Sequence, residues 1–273
     1  MKTNIVFFGS SGHLGVHLKK EFEINKTKFN IYYASKKDVE NILKDKISKD
    51  FLEKSFFINL VSIVGTENIS KFSDNYINKI NSLFPLKLAK LCCETNSKLI
   101  HISSNSVFEN SQKRYRYDYV EMKANTVYGK SKLIAENYIK NNLESNSYLI
   151  LRTPQQYSSD LVNKRNLFSG IYEKLKNYKK VEVFKNEIFS IASCESISRF
   201  IVSSINKGIK GTYNLSEPLE YNWIHIATLL INKMNLNINK SLIIKFENNS
   251  KQKNSTLYPS SIGLLKSNLN ELL

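Results

Sequence analysis

Asn4-Ile5-Val6-Phe7-Phe8-Gly9-Ser10-Ser11-Gly12-His13-Leu14-Gly15 decides the fold of this chain. Five residues of mostly apolar, strand-forming character run straight into three glycines spaced Gly-x-x-Gly-x-x-Gly. An amphipathic stretch follows, from Val16 through Leu18 to Phe22. Strand, glycine turn and helix in this order form the context that a dinucleotide fingerprint requires. Gly9 permits the tight turn, Gly12 lets backbone approach a pyrophosphate, and Gly15 lets the helix pack close. The helix start then offers N–H groups and a positive dipole end to phosphate. Gly9, Ser11, Gly12, His13, Leu14 and Gly15 are the candidate cradle, with the His13 side chain read as a loop residue rather than a base. A merely tight strand-to-helix turn is the bland alternative.

Working outward, strands and helices alternate. Strands are expected at Phe29–Ala34, Ser55–Ser62, Lys98–Ser103 and Ser147–Leu151. Helices are expected at Val39–Lys54, Asp74–Thr95 (kinked or broken at Pro85) and Tyr128–Leu143. Alternation of this kind predicts an α/β, Rossmann-type doubly wound parallel sheet with helices on both faces. Ligands then bind beyond the carboxyl ends of the strands. Gly9, Ser62, Ser104 and Pro154 all fall there.

The remainder reads as Glu187–Ala192 strand, Glu195–Asn206 helix, Tyr221–Met234 helix and Leu242–Phe246 strand. These pieces are too few for a second independent core. They predict a small C-terminal substrate-binding lobe: residues 1–155 as the dinucleotide-binding domain, 156–273 mainly as the lobe, with about 187–206 returning to the first core.

Chemistry concentrates at Tyr128-Gly129-Lys130-Ser131-Lys132. A tyrosine and a lysine four apart share one helix face. The ammonium favours the phenolate, so Tyr128 is a candidate proton donor and Lys132 its tuner. At the end of the second strand, Ala34-Ser35-Lys36-Lys37-Asp38 carries cations where an acid would hold the ribose of NAD. Ser35, Lys36 and Lys37 therefore favour NADP, NAD remaining open, while Asp38 sits where it caps the next helix.

Composition limits the alternatives. The 273 residues carry a net charge of +16, which would suit nucleic acid. The lysines are scattered without an aromatic-interleaved stripe, so no nucleic-acid partner is expected, though the field would attract an anionic nucleotide. No apolar run reaches the ~18 residues of a membrane span, so no membrane partner is expected either. Only Met1–Asn4 precede the first strand, and Cys92, Cys93 and Cys194 make neither metal spacing nor an even disulfide set. Cys92 and Cys93 read as buried helical thiols. No metal site and a cytoplasmic location are the expectations.

Taken together, Gly9-x-x-Gly12-x-x-Gly15, Ile100-His101-Ile102-Ser103-Ser104-Asn105-Ser106-Val107-Phe108, Val127-Tyr128-Gly129-Lys130-Ser131-Lys132-Leu133-x-Ala135-Glu136, Leu151-Arg152-Thr153-Pro154 and Gly211-Thr212-Tyr213-Asn214-Leu215 resemble an extended short-chain dehydrogenase/reductase. Within that group the chain is similar to dTDP-4-dehydrorhamnose reductases and related epimerase-dehydratase enzymes of sugar nucleotides. The resemblance implies that Ser104 hydrogen-bonds a substrate carbonyl, Tyr128 donates the proton, and Lys132 holds the nicotinamide ribose while lowering the tyrosine pKa. It puts Asn59, Leu60, Val61 and Ser62 in the loop under the adenine-side ribose and Pro154 and Gln155 in the turn that touches the nicotinamide carboxamide. Asn81 matches a family asparagine that supports the site, or is an ordinary helical Asn.

The departures are Asn105 and Ser106, where the reductases usually carry an acid and an aromatic. They put the sugar in doubt and weigh against a dehydratase, which needs an acid and a base there. The expectation is an NADP-dependent reductase of a 4-keto nucleotide sugar in cell-surface polysaccharide synthesis. A nucleotide-sugar 4-epimerase with bound NAD and a non-catalytic NADP-binding regulatory subunit are the alternatives, and a homodimer stays open.

Overall fold

A parallel sheet of six strands, ordered β10-β5-β4-β3-β1-β2, takes five strands from residues 3–153 and the sixth from residues 211–214. The computed structural model describes residues 2–47, 52–65, 69–108, 121–177, 179–184, 186–235, 243–246, 253–265 and 269. The strands are β1 (Thr3–Phe8), β2 (Phe29–Ala34), β3 (Phe56–Asn59), β4 (Lys98–Ser104), β5 (Tyr148–Thr153) and β10 (Gly211–Asn214). β1 pairs in parallel with β2 and β3, and β3 with β4. Their carboxyl ends therefore share one edge, and reversal of strand order beside β1 opens a crevice there.

Two-residue periodicity sends alternate side chains of β1 to opposite faces. Val6 and Phe8 join Phe57, Phe84, Leu88, Leu99, Ile139 and Ile150 in one buried cluster. Phe7 meets Phe22 of the first helix (His13–Ile24) on the opposite face, ring centroids 6.1 Å apart, and Phe22 meets Phe29 at 5.2 Å. Each such aromatic contributes about 1.5–3 kcal/mol by leaving water. That is why β1 reads as a continuous apolar run.

The chain divides into two compact units: residues 1–109, 121–152 and 198–213, and residues 110–120, 153–197 and 214–273. The second unit has its own apolar core, in which Tyr157, Phe168, Leu175, Val181, Val183, Phe189, Ile191, Tyr221, Ile226 and Leu230 are buried together. The expectation of no second core fails because it counted strands. The aromatic and β-branched side chains on several two- and three-residue strands close that core instead.

Other boundaries move for local reasons. The helix expected over Val39–Lys54 runs Lys36–Leu43 and stops where Asp45 takes φ 56°, a left-handed terminus that frees the chain to turn. Pro85 does not break its helix. Lys79–Leu83 widens into a π turn just ahead of it, with the Phe84 N–H donating to Lys79 O, five residues back. The widening accommodates a residue that has no N–H to give.

Glu187–Ala192 is two strands rather than one, β8 (Glu187–Phe189) and β9 (Ile191–Ser193), in different sheets. Ser190 between them accepts from the Leu257 N–H. Tyr221-Asn222 is strand, and Asn222 caps the helix Trp223–Lys233 through the His225 N–H. Of the strand expected over Leu242–Phe246, residues 243–246 are strand and 242 lies outside the described residues. Cys92 is buried, but Cys93 is exposed.

Candidate active site

The glycines of the first turn are fixed by space as much as by torsion. Gly9 has φ 88°, and a β-carbon on it would lie 2.9 Å from Leu60 C. A β-carbon on Gly15 would lie 2.2 Å from Gly9 O, so this helix can approach the turn only as glycine. Gly12, the N-cap, donates its N–H to Gly9 O and has no capping side chain. A β-carbon there would meet little besides Gly9 O at 3.3 Å. Ser11 and Leu14 belong to this turn and helix start. His13 is the first helical residue rather than a loop residue, its ring 5.6 Å from that of His17.

At the end of β2, Ser35 and Asp38 form a reciprocal capping box. The Ser35 N–H and hydroxyl each donate to Asp38 Oδ2 at 2.7 Å, and Tyr32 OH donates to it at 3.1 Å. Asp38 is thus occupied in closing the helix, and these bonds hold its carboxyl below the usual range despite burial. Lys36 and Lys37 stand exposed in the first turn.

Beyond β3 the loop is clipped from two sides. Asn59 Oδ1 accepts from the Val61 N–H at 3.0 Å. Asn81, fully buried in the π turn, accepts from the Ile63 N–H at 2.7 Å and from Ser62 Oγ, and donates to Ile63 O and Ser131 Oγ. All of its hydrogen-bonding capacity is used to tie Ser62-Ile63 to the helix Val127–Asn142. Leu60 and Val61 lie between these clips, against Gly9.

That helix begins on Thr126, whose hydroxyl accepts from the Gly129 N–H. A β-carbon on Gly129 would lie 2.1 Å from Ser106 O, so the glycine of Tyr128-Gly129 allows the helix to seat on the strand end. Tyr128 comes to Ser104 and Ser62. Burial pushes its phenol up, and hydrogen bonds with Ser104 and Ser62 pull it down. Ser104 Oγ also accepts from the Ser106 N–H at 3.1 Å and lies 3.2 Å from Ser106 Oγ and 3.3 Å from Asn105 Oδ1.

The expectation that Lys132 tunes the phenol directly is not what this geometry gives. Lys132 is buried, with Nζ donating to Ile102 O at 2.6 Å and lying 3.3 Å from His101 Nε2. Burial brings it down to about 8, with Glu136 working the other way. His101, buried beside it, is held well below the usual imidazole range by burial and by Lys132, and its Nδ1 is 3.1 Å from Asn59 Nδ2.

A buried ion pair braces this arrangement from behind. Arg152 on β5 makes three hydrogen bonds to the Glu136 carboxylate, at 3.0, 3.2 and 2.8 Å, and Ser103 Oγ donates to it at 2.6 Å. Burial would raise the Glu136 carboxyl, but Arg152 outweighs it and the pKa ends below its ordinary value.

Gly9, Gly12 and Gly15 thus share one turn, Leu60 and Val61 pack against it, and Ser62, Ser104 and Tyr128 meet. Lys132 is one turn beyond Tyr128. Pro154 follows β5 directly but belongs to the second unit. His101, Glu136 and Gly129 escaped assignment of a role from sequence. A histidine between two isoleucines of a buried strand, and a glutamate on the inward face of a helix, were the available signals. Among the described residues no group of His, Cys, Asp or Glu could hold a metal ion, and no helix is long and apolar enough to cross a membrane.

A family model described as RmlD substrate binding domain matches residues 2–258. No curated protein matches the sequence. Among solved structures, dTDP-4-dehydrorhamnose reductase from Bacillus anthracis, in complex with NADP, superposes with TM-score 0.82 at 20% identity over 97% of this chain and 94% of that one. The reductase from Yersinia enterocolitica gives 0.82 at 18% identity, over 94% and 90%. dTDP-glucose 4,6-dehydratase from Bacillus anthracis, in complex with NAD, gives 0.79 at 13% identity, over 98% and 93%. At such identities the likeness speaks for the fold.

Proposed function

We propose, for a chain that belongs to the RmlD substrate binding domain family, that it is an NADP-dependent reductase of a 4-keto nucleotide sugar. The observation that carries the proposal is the Tyr128 phenol, part-buried and hydrogen-bonded with Ser104, at the carboxyl edge of a parallel sheet. The glycine turn fits a dinucleotide, because Gly12 starts the helix without a capping side chain and so leaves the first-turn N–H groups to a phosphate. Lys36 and Lys37 are exposed cations suited to a 2′-phosphate, and Asp38 beside them is engaged with Ser35 and Tyr32. The solved relative in complex with NADP supports the same choice.

Bound NADPH would supply the hydride. Gly9, Gly12 and Gly15 would hold the pyrophosphate, Leu60, Val61 and Ser62 would lie under the adenine-side ribose, and Lys132 would serve the nicotinamide half. Ser104 would hydrogen-bond the substrate carbonyl oxygen, and Tyr128 OH would give that oxygen its proton. Positioning is most of the remaining work. The product would serve cell-surface polysaccharide synthesis.

Tyr128→Phe should lower kcat by roughly 10²–10⁴-fold against a panel of 4-keto nucleotide sugars. NADPH affinity, read by fluorescence, should hold. Undiminished turnover would sink the role of Tyr128. Changing both Lys36 and Lys37 to Ala should weaken NADPH far more than NADH, and equal losses would refute the 2′-phosphate reading.

A further inference from the structure

Lys132 is buried, and the groups behind it govern how firmly it holds a proton. Its Nζ lies between Ile102 O at 2.6 Å and His101 Nε2 at 3.3 Å. The other imidazole nitrogen, Nδ1, is 3.1 Å from Asn59 Nδ2. The Asn59 amide cannot turn over without loss. Its Oδ1 accepts from the Val61 backbone N–H at 3.0 Å, and a reversed amide would set donor against donor. Asn59 therefore presents N–H to Nδ1, which must be the acceptor nitrogen. The imidazole is neutral, being buried next to a cation. Its single proton is then on Nε2, facing Lys132.

We propose that His101 is a positioning residue whose Nε2–H, fixed by Val61 through Asn59, loosens the grip of Lys132 on its proton. Ile102 O accepts from ammonium and amine alike. Only the amine can also accept from Nε2–H, whereas the ammonium meets it donor to donor. The other charged or titratable neighbours do not reverse this. Glu136, one turn further on, favours the ammonium but is shared with Arg152 from β5 and with Lys140. Tyr128, one turn earlier, is held protonated by burial. A lysine able to release and regain a proton near neutrality beside the proton donor is the functional consequence, and that part rests on the reading of the site given above. The tautomer does not.

The test is long-range ¹H–¹⁵N correlation on the full chain labelled with ¹⁵N-histidine, from pH 6 to 9, with His101→Gln assigning its signal among the four histidines. His101 should show the neutral Nε2–H form throughout. An Nδ1–H form or an imidazolium would overturn the proposal. Asn59→Asp provides the second arm. Its carboxylate accepts from both Val61 N–H and Nδ1–H, so the tautomer should switch and Nε2 should become an acceptor. The Lys132 midpoint, followed by ¹³Cε-lysine signals and assigned with Lys132→Arg, should then rise toward the ordinary lysine value. An unswitched tautomer or an unmoved midpoint would overturn it. No cofactor or substrate enters these measurements, so loss of the tautomer and loss of the reductase reading are separate results.

Discussion

Replacing Glu136 by Gln isolates the pair that braces the site. The shape is kept, so no cavity forms, but Arg152 loses the only carboxylate it meets among the described residues. Both side chains are out of water, at 3% and 0% exposure. The guanidinium would be left with Met122 Sδ, the Phe108 ring at 5.2 Å and a neutral amide. Breaking one side of a buried pair costs about 3–5 kcal/mol, a large share of the ~5–15 kcal/mol that holds a domain folded. Urea unfolding of the full chain, followed by far-UV circular dichroism because the single tryptophan (Trp223) is in the second unit, should show a midpoint lower by about 1–2 M for a slope of about 3 kcal/mol/M, the upper end of the usual range. Adding Arg152→Met to Glu136→Leu should recover most of the loss, since no orphan charge remains. The sign with pH follows from a carboxyl whose folded value is depressed. Its contribution is complete above the unfolded value near 4.5 and is lost as pH falls through the folded value. The gap between wild type and Glu136→Gln should be constant at neutral pH and close in acid. A loss under about 1 kcal/mol, the range of exposed pairs, or a double variant worse than the single, would refute the reasoning.

Three further outcomes are expected. Gly129→Ala should disturb the site more than the fold, because its β-carbon would press on Ser106 O at 2.1 Å; turnover should fall at least tenfold with a thermal midpoint within a few degrees, and unchanged kinetics would show that the helix start moves freely. Asn81→Leu should release the Ser62-Ile63 clip and leave the part-buried Ile63 N–H unmet, costing about 1 kcal/mol or more by chemical denaturation; a neutral result would mean the π turn does not hold the loop. Activity that needs Lys132 as the ammonium should decline as pH rises through about 8, where burial has set its titration, and a kcat profile flat to pH 10 would exclude the ammonium from the rate-limiting step.

The parts of this fold legible in the sequence are those governed by local rules. β1 and its turn could be read because apolar continuity, three glycines and a following amphipathic stretch all point one way. Asp38 could be read as a capping residue because the signal is local, although the N-cap proper is Ser35 and Asp38 answers it from the third helical position. What could not be read depends on partners far along the chain. Asn59 and His101 are 42 residues apart and meet only because β3 and β4 pair in register. Glu136 and Arg152 are 16 apart, across a helix and a strand. Periodicity marks such residues only as polar groups in inward positions.

The same distinction explains why the spacing of Tyr128 and Lys132 could be read from sequence while the partners of their side chains could not. Four-residue spacing on a helix does bring two side chains to one face. Which way a long side chain then points is decided by the hydrogen-bond acceptors within its reach. Lys132 finds a strand carbonyl and an imidazole behind it, at 2.6 and 3.3 Å, and Tyr128 finds the serines. The charge that sequence reasoning assigned to the phenol is therefore spent first on β4. Whatever tuning Lys132 exerts on Tyr128 has to be set against its engagement with Ile102 and His101, which makes the strand residue His101, rather than the helix spacing alone, the point at which the proton chemistry of this site can be altered.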